Sequence, residues 1–381
     1  MKLKITWNMK VFPLLIVAVL FFTACGNTDS TGGGSSDVGS VSAAEGDGSS
    51  ANGNGDASKI IVDCAGAEVE VPEDVSRVIC VTQNAMEFAV AMGQEDRLIG
   101  IHKSVFEHTW SPEYIRDLDR LTGFGYSPAP EAVYESGADI VIVRDASTAE
   151  DLRTAGIPAL TFRYQNKEEL FFAVNMLGEL FGEDAKAFAQ KWTDYYEAVE
   201  AELKETTSQL ADSERKTVYF IDASTALDAG SLCSTVGGNS IVAAWFDAVG
   251  ADLVTRDYED VSSINEEAVL ALDPQTIVIG GWAENTRKEQ LYADEKWADI
   301  AAVKNGQVYL VPDGFVSFER YAVEAPLLLK YTAWQLYPEL FDWDPVTNFQ
   351  EFFREFYRLD VSAEKINCML EGLSPDGTRM D

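Results

Sequence analysis

Residues 183–208 (EDAKAFAQKWTDYYEAVEAELKETTS) constrain this chain more than any other stretch. Phe188, Trp192, Tyr195, Tyr196, Val199 and Leu203 recur at steps of three and four, which marks one apolar face of an α-helix. No Pro or Gly interrupts the run, and Lys, Glu and Asp fill the opposite face. At 1.5 Å per residue such a rod spans about 35–40 Å, the width of a small domain. A second apolar stripe just before it (Leu170, Val174, Leu177, Phe181) stops at Gly182, a helix-ending residue. The segments on either side each read as an α/β unit. A stiff rod between two such units predicts two lobes held at a nearly fixed separation with a cleft between them. An ordinary packed helix inside one domain is the plainer alternative.

The 381 residues, 46% hydrophobic and 11% aromatic, suffice for two lobes with cores of their own. A formal charge of −34 argues against nucleic acid, whose phosphates call for clustered Lys and Arg. Spread acidity of this kind mainly keeps a protein soluble, and it mildly favours cationic ligands. Residues 1–24 read as an export signal: Lys2, Lys4 and Lys10 precede an apolar run, 11–22, that is too short to span a membrane. Phe22-Thr23-Ala24-Cys25 resembles a bacterial lipobox, which makes Cys25 the expected lipid-bearing N-terminus. Residues 25–58, rich in Gly, Ser, Asn and Asp, suit a flexible tether to the outer face of the cell membrane. Cys64, Cys80, Cys233 and Cys368 show no metal-ligand spacing; an exported protein could pair them in any of three ways, and small buried side chains are the first expectation.

Along the chain, 59–62 and 68–71 flank a turn and predict a hairpin closed by Pro72. Continuous apolar runs at 77–81, 97–101, 139–143 and 158–163 alternate with helical segments, the pattern of a parallel sheet covered on both faces. After the rod the pattern restarts, with strands expected at 216–221, 276–280 and 307–311 and helices between and after them. The fold class is therefore α/β, with two doubly wound lobes (59–182 and 209–381) joined by the helix 183–208.

Reaction chemistry is hard to place. His102 and His108 stand six apart, which is not a helical metal pair, and they are weak metal-ligand candidates. No P-loop or G-x-S-x-G occurs, and Gly123-Phe124-Gly125 matches too little of a dinucleotide fingerprint. No enzyme activity and no cofactor are expected. In open α/β sheets, ligands bind beyond the carboxyl ends of the strands. That rule nominates Gln83, Asn84, His102, Lys103, Arg144, Arg163 and Tyr164 in the first half, and Phe124 and Tyr126 join them as aromatics on the Gly-rich loop 123–126. In the second half it nominates Asp222, Trp282, Phe315, Phe318, Arg320 and Tyr321. Aromatics beside Arg and Lys suit a large flat or ring-bearing ligand with anionic groups.

Several segments resemble the substrate-binding proteins of iron–siderophore, haem and cobalamin importers. Residues 59–81 are similar to that family's opening hairpin and first strand, and 83–93 with 97–100 to its first helix and second strand. EAVYESGADIVIV (131–143), INEEAVLALDPQTIVIG (264–280) and WADIAAVKNGQVYLVP (297–312) look like its helix–strand units. The resemblance runs from about residue 59 to 340. It implies a monomer that closes slightly on a small-molecule metal chelate, then delivers it to the permease and ATPase of an importer. It further implies docking through one surface carboxylate per lobe, matched by position to Glu87 and, in the second lobe, to Asp247. The alternatives are capture of a metal ion or metal–amino-acid complex through His102 or His108, and a surface metal or tetrapyrrole chelatase.

Overall fold

The computed structural model describes residues 57–223, 232–281 and 284–380. The expected signal segment, Cys25, the tether before residue 57 and Trp282 lie outside the described residues. Strands β1 (Ser58–Val62) and β2 (Glu68–Pro72) pair antiparallel as the expected hairpin. The first lobe then runs β3 (Val78–Cys80), α1 (Gln83–Ala91), β4 (Leu98–His102), α2 (Ser111–Tyr114), β5 (Thr122–Phe124), α3 (Pro130–Ser136), β6 (Ile140–Val143), α4 (Ala146–Thr154) and β7 (Ala159–Thr161). Its five strands are parallel, in the order β5-β4-β3-β6-β7. The chain thus winds one way from β3 and then crosses to β6 on the other side. The carboxyl end of β3 is therefore the switch point where a crevice opens.

Two antiparallel helices follow, α5 (Lys167–Phe181) and α6 (Glu183–Thr207). Gly182, at φ +101°, makes the reversal, and a Cβ at Gly178 would press on the Lys186 backbone, so Gly178 lets the two helices close on each other. The second lobe comprises β8 (Thr217–Asp222), α7 (Ile241–Ala248), β9 (Asp252–Leu253), α8 (Glu266–Leu272), β10 (Thr276–Gly280), α9 (Glu284–Ala293), α10 (Ala301–Lys304) and β11 (Val308–Leu310). Its strands are also parallel, in the order β11-β10-β8-β9. The tail carries α11 (Ala325–Leu336), α12 (Pro345–Phe352), a π-helical turn (Phe353–Tyr357) and α13 (Ala363–Leu370).

The two sheets share no strand, and the α/β reading with a long helix holds. The rod is nevertheless not a bare strut. One apolar core runs from α1 and α5 across Phe188, Trp192, Tyr196, Val199 and Leu203 to α7, α11 and α12. Smaller separate cores lie on the other faces of the two sheets. The Trp192 indole donates to the Val323 carbonyl at 2.8 Å, fastening the rod to the segment before α11. No helix among the described residues is long and apolar enough to cross a membrane.

Candidate functional site

The carboxyl ends of strands from both lobes meet at a narrow cleft. Gln83, at the start of α1, and His108, in the loop after β4, line it from the first lobe. Gly281, Asp313, Val316, Ser317 and Arg320 line it from the second. His108 Nε2 and Asp313 Oδ1 face each other at 4.0 Å, one donor atom from each lobe. Burial pulls the His108 imidazole down to about 4, and burial together with the Glu319 charge pushes the Asp313 carboxyl up to about 8. Near neutral pH the two groups are thus largely uncharged, and their contact is not an ion pair.

The second-lobe wall is rich in carboxyl groups. Ser317 Oγ lies 3.5 Å from Glu284 Oε1 and also meets the Glu319 carboxyl. Burial first, then the Asp313 and Glu319 charges, raises Glu284 well above the usual carboxylate range. Burial likewise raises Glu319, against the pull of the neighbouring Arg320 guanidinium, whose Nε stands 3.7 Å from Glu319 Oε1. Among the described residues, no three His, Cys, Asp or Glu side chains gather as a metal-ligand set.

The first-lobe wall is organised by hydrogen bonds. Gln83 Nε2 donates to Ser104 Oγ (3.2 Å), which lies 2.7 Å from His102 Nδ1. His102 is itself buried, stacked on the half-exposed Tyr126 ring at a centroid distance of 3.7 Å. Below the cleft runs a seam. Asn84 Nδ2 donates to the Arg320 carbonyl at 2.8 Å and meets the Tyr164 hydroxyl, and that hydroxyl donates to the Tyr321 carbonyl at 3.0 Å. Tyr321, in a left-handed conformation at φ +61°, pairs its hydroxyl with that of Tyr196 on α6 at 2.7 Å.

Of the residues nominated from sequence, Gln83 and Arg320 line the cleft, and His102 and Tyr126 stand behind Gln83. Lys103, Arg144 and Arg163 are exposed beyond strand ends and are not in the cleft lining, and neither is half-buried Asp222. Four nominated aromatics need correction. Phe124 is not on a loop but in β5, where its ring fills the space over Gly100, which has no side chain. Phe315 and Phe318 are core residues stacked on Tyr114 (5.0 Å) and Phe349 (5.8 Å), and Tyr321 is 2% exposed in the seam. Asn84 and Tyr164 are likewise engaged in that seam.

The docking expectation for Glu87 also needs correction, because its carboxyl is fully buried and cannot present itself to a partner. Tyr357 Oη lies 2.7 Å from both Glu87 Oε1 and Glu324 Oε1. Asp247 is half-exposed on α7, hydrogen-bonded to Arg256 at 2.9 Å. Asp313 went unnominated, although it directly follows the last strand and the same strand-end rule reaches it.

Residues 78–314 match the family model described as periplasmic binding protein. Among curated proteins, the molybdate-binding protein MolA of Haemophilus influenzae is 22% identical over 346 residues, covering 81% of this chain and 94% of that protein. A periplasmic solute binding protein from Veillonella parvula superposes with a TM-score of 0.70 at 22% identity, covering 84% of this chain and 99% of its own. Helicobacter pylori CeuE with Ni(II) bound gives a TM-score of 0.66 at 19% identity, covering 80% and 98%. These superpositions concern the fold.

Proposed function

The chain belongs to the periplasmic binding protein family, and from that premise we propose that it is the extracytoplasmic capture component of an ATP-driven importer, gripping a metal chelate between its lobes and passing it to a permease. One observation carries the reading: the cleft is lined from both lobes, with His108 and Asp313 facing across it at 4.0 Å. A metal centre held by both would tie the two lobes to one another, which couples capture to the lobes' relative position. A metal centre suits such a pair, because a neutral imidazole and a carboxyl that gives up its proton on binding are ordinary ligands for divalent metals. A chelate brings its remaining donors with it.

The facing walls leave only a narrow gap between Gln83, His108, Asp313, Ser317 and Arg320, well short of the space that drug-sized ligands fill. Such a gap favours a compact chelate over a whole haem or corrin in this state of the cleft. Nickel–histidine, present in another H. pylori CeuE structure, is of this kind. Molybdate, the ligand of the H. influenzae relative, is the oxyanion against which a chelate is to be compared. Lipid on Cys25 would keep the protein at the outer face of the cell membrane.

Isothermal titration with nickel–histidine, a ferric siderophore, haem, cobalamin and molybdate tests this reading. We expect a chelate to bind with 1:1 stoichiometry and His108→Ala or Asp313→Asn to weaken it at least about tenfold, the worth of one lost strong contact. Binding of molybdate alone, or of none of the five, defeats it.

A further inference from the structure

The hydrogen bonds behind Gln83 have a direction that can be worked out from donors and acceptors alone. The Ser104 backbone N–H donates to His102 Nδ1 at 3.3 Å. A nitrogen that accepts carries no proton, so His102 is the neutral tautomer protonated on Nε2. Ser104 Oγ is 2.7 Å from the same Nδ1. Two lone pairs cannot meet at that distance, so the single Ser104 hydroxyl proton points at Nδ1. The hydroxyl then has only lone pairs left for its other neighbour, and Gln83 must approach with its NH2 group, as it does at 3.2 Å. The amide of Gln83, a cleft-lining side chain, is therefore anchored through its nitrogen, leaving its carbonyl oxygen as the acceptor available to a ligand. Burial, with Lys103 adding a smaller push, holds His102 below its ordinary range, which keeps the ring neutral at physiological pH.

We propose that His102 and Ser104 are positioning residues for recognition, fixing Gln83 as a hydrogen-bond acceptor, so that the cleft takes ligands presenting N–H, O–H or metal-bound water at that wall. This rests on the cleft reading above and narrows it. Oxyanions offer only acceptors and find no partner in this oxygen, whereas an amino-acid chelate or an aquated metal complex carries donors. Neither His102 nor Ser104 needs to touch the ligand.

Nickel–histidine is the probe, titrated into wild type, Ser104→Ala and the double variant Ser104→Ala with Gln83→Glu. In Ser104→Ala the amide is free to turn either way, and affinity falls about twofold, the cost of selecting one of two orientations. A glutamate presents an oxygen whichever way it turns, so the double variant recovers wild-type affinity. A general packing defect would not be rescued in this way. No change in Ser104→Ala, or no recovery in the double variant, overturns the proposal.

A second arm needs no ligand, so it decides the matter even if nickel–histidine fails to bind and the chelate reading falls. The chain has only two histidines, so ¹⁵N spectra of histidine-labelled protein resolve both rings, with His102→Gln supplying the assignment. The expected spectrum shows His102 Nδ1 as an unprotonated acceptor, shifted when Ser104 is replaced by alanine. A proton on Nδ1 reverses the chain of bonds and overturns the proposal.

Discussion

Asp63 closes the first hairpin by accepting the backbone N–H groups of Ala65 and Ala67 with one oxygen, each at 2.9 Å. Its other oxygen accepts the Thr161 N–H at 2.9 Å and an Arg153 N–H at 3.3 Å, which pins the hairpin to β7 and α4. Burial alone would raise this carboxyl, but the hydrogen bonds from Thr161, Ala67 and Ala65 outweigh it and hold it below the usual aspartate range. Asp63→Ala leaves several donors unpaired and should cost about 2–4 kcal/mol in urea unfolding. Asp63→Asn should do no better, since its NH2 would confront N–H groups. The sign with pH follows from the depressed value. The contribution is present above the unfolded aspartate pKa of roughly 3.9 and is lost as pH falls through the lower folded value. The stability gap between wild type and Asp63→Ala should therefore narrow in acid, and a gap independent of pH down to about 2 would rule this account out.

At the scale of elements, the rod is where sequence and structure agree best, because six apolar positions at helical spacing leave little else for the stretch to be. Its boundary differs by one residue, α6 ending at Thr207. Short elements were not legible: β5 and β9 span three and two residues, too few to show a period. Phe124 looked like a loop aromatic because glycines flank it, while the space that accepts its ring comes from Gly100, in another strand. The strand-end rule found Gln83 and Arg320, but after the last strand it settled on the aromatic run 315–321 and passed over Asp313. Nothing local could reveal the burial of Glu87, whose hydroxyl partner is 270 positions away. The rod itself makes a prediction. Trp192→Phe keeps most of the apolar contact with Phe88 (ring centroids 5.1 Å) but leaves the buried Val323 carbonyl without its indole donor. It should lower stability by about 1–3 kcal/mol, measured by chemical denaturation. A loss as large as the 3–5 kcal/mol typical of Trp→Ala would mean that ring shape, not the hydrogen bond, fastens the rod.

For the whole molecule, Glu87, Tyr357 and Glu324 join three parts of the chain: α1 of the first lobe, the tail after α12, and the start of α11. The Tyr357 hydroxyl has one proton yet lies 2.7 Å from an oxygen of each carboxyl group. It can donate to only one of them, so the other contact must be donated by a protonated carboxyl. Burial first, then the Glu324 charge, raises Glu87 well above the usual range, and burial raises Glu324. The titratable groups facing the pair are Tyr114 from α2, Tyr164 beyond β7 and Asp313 beyond β11, which add no positive charge. A raised folded pKa gives stability that is complete below the unfolded glutamate value of roughly 4.3 and is lost as pH rises through the folded value. Tm should therefore decline from about pH 5 toward pH 9, at no more than about 1.4 kcal/mol per pH unit for the one shared proton. Glu87→Gln keeps a neutral donor at the Tyr357 oxygen and removes the titration, so its Tm should be flatter over the same range. The tail also bonds both lobes directly, through the Trp110 indole to the Leu373 carbonyl (3.0 Å) and the Asp313 N–H to the Met369 carbonyl (3.0 Å). Loss of the shared proton should thus loosen the lobes as well as lower Tm, and limited proteolysis of wild type at pH 9 should cut the tail faster than in Glu87→Gln. Identical pH profiles for the two proteins would show that the seam holds without a shared proton.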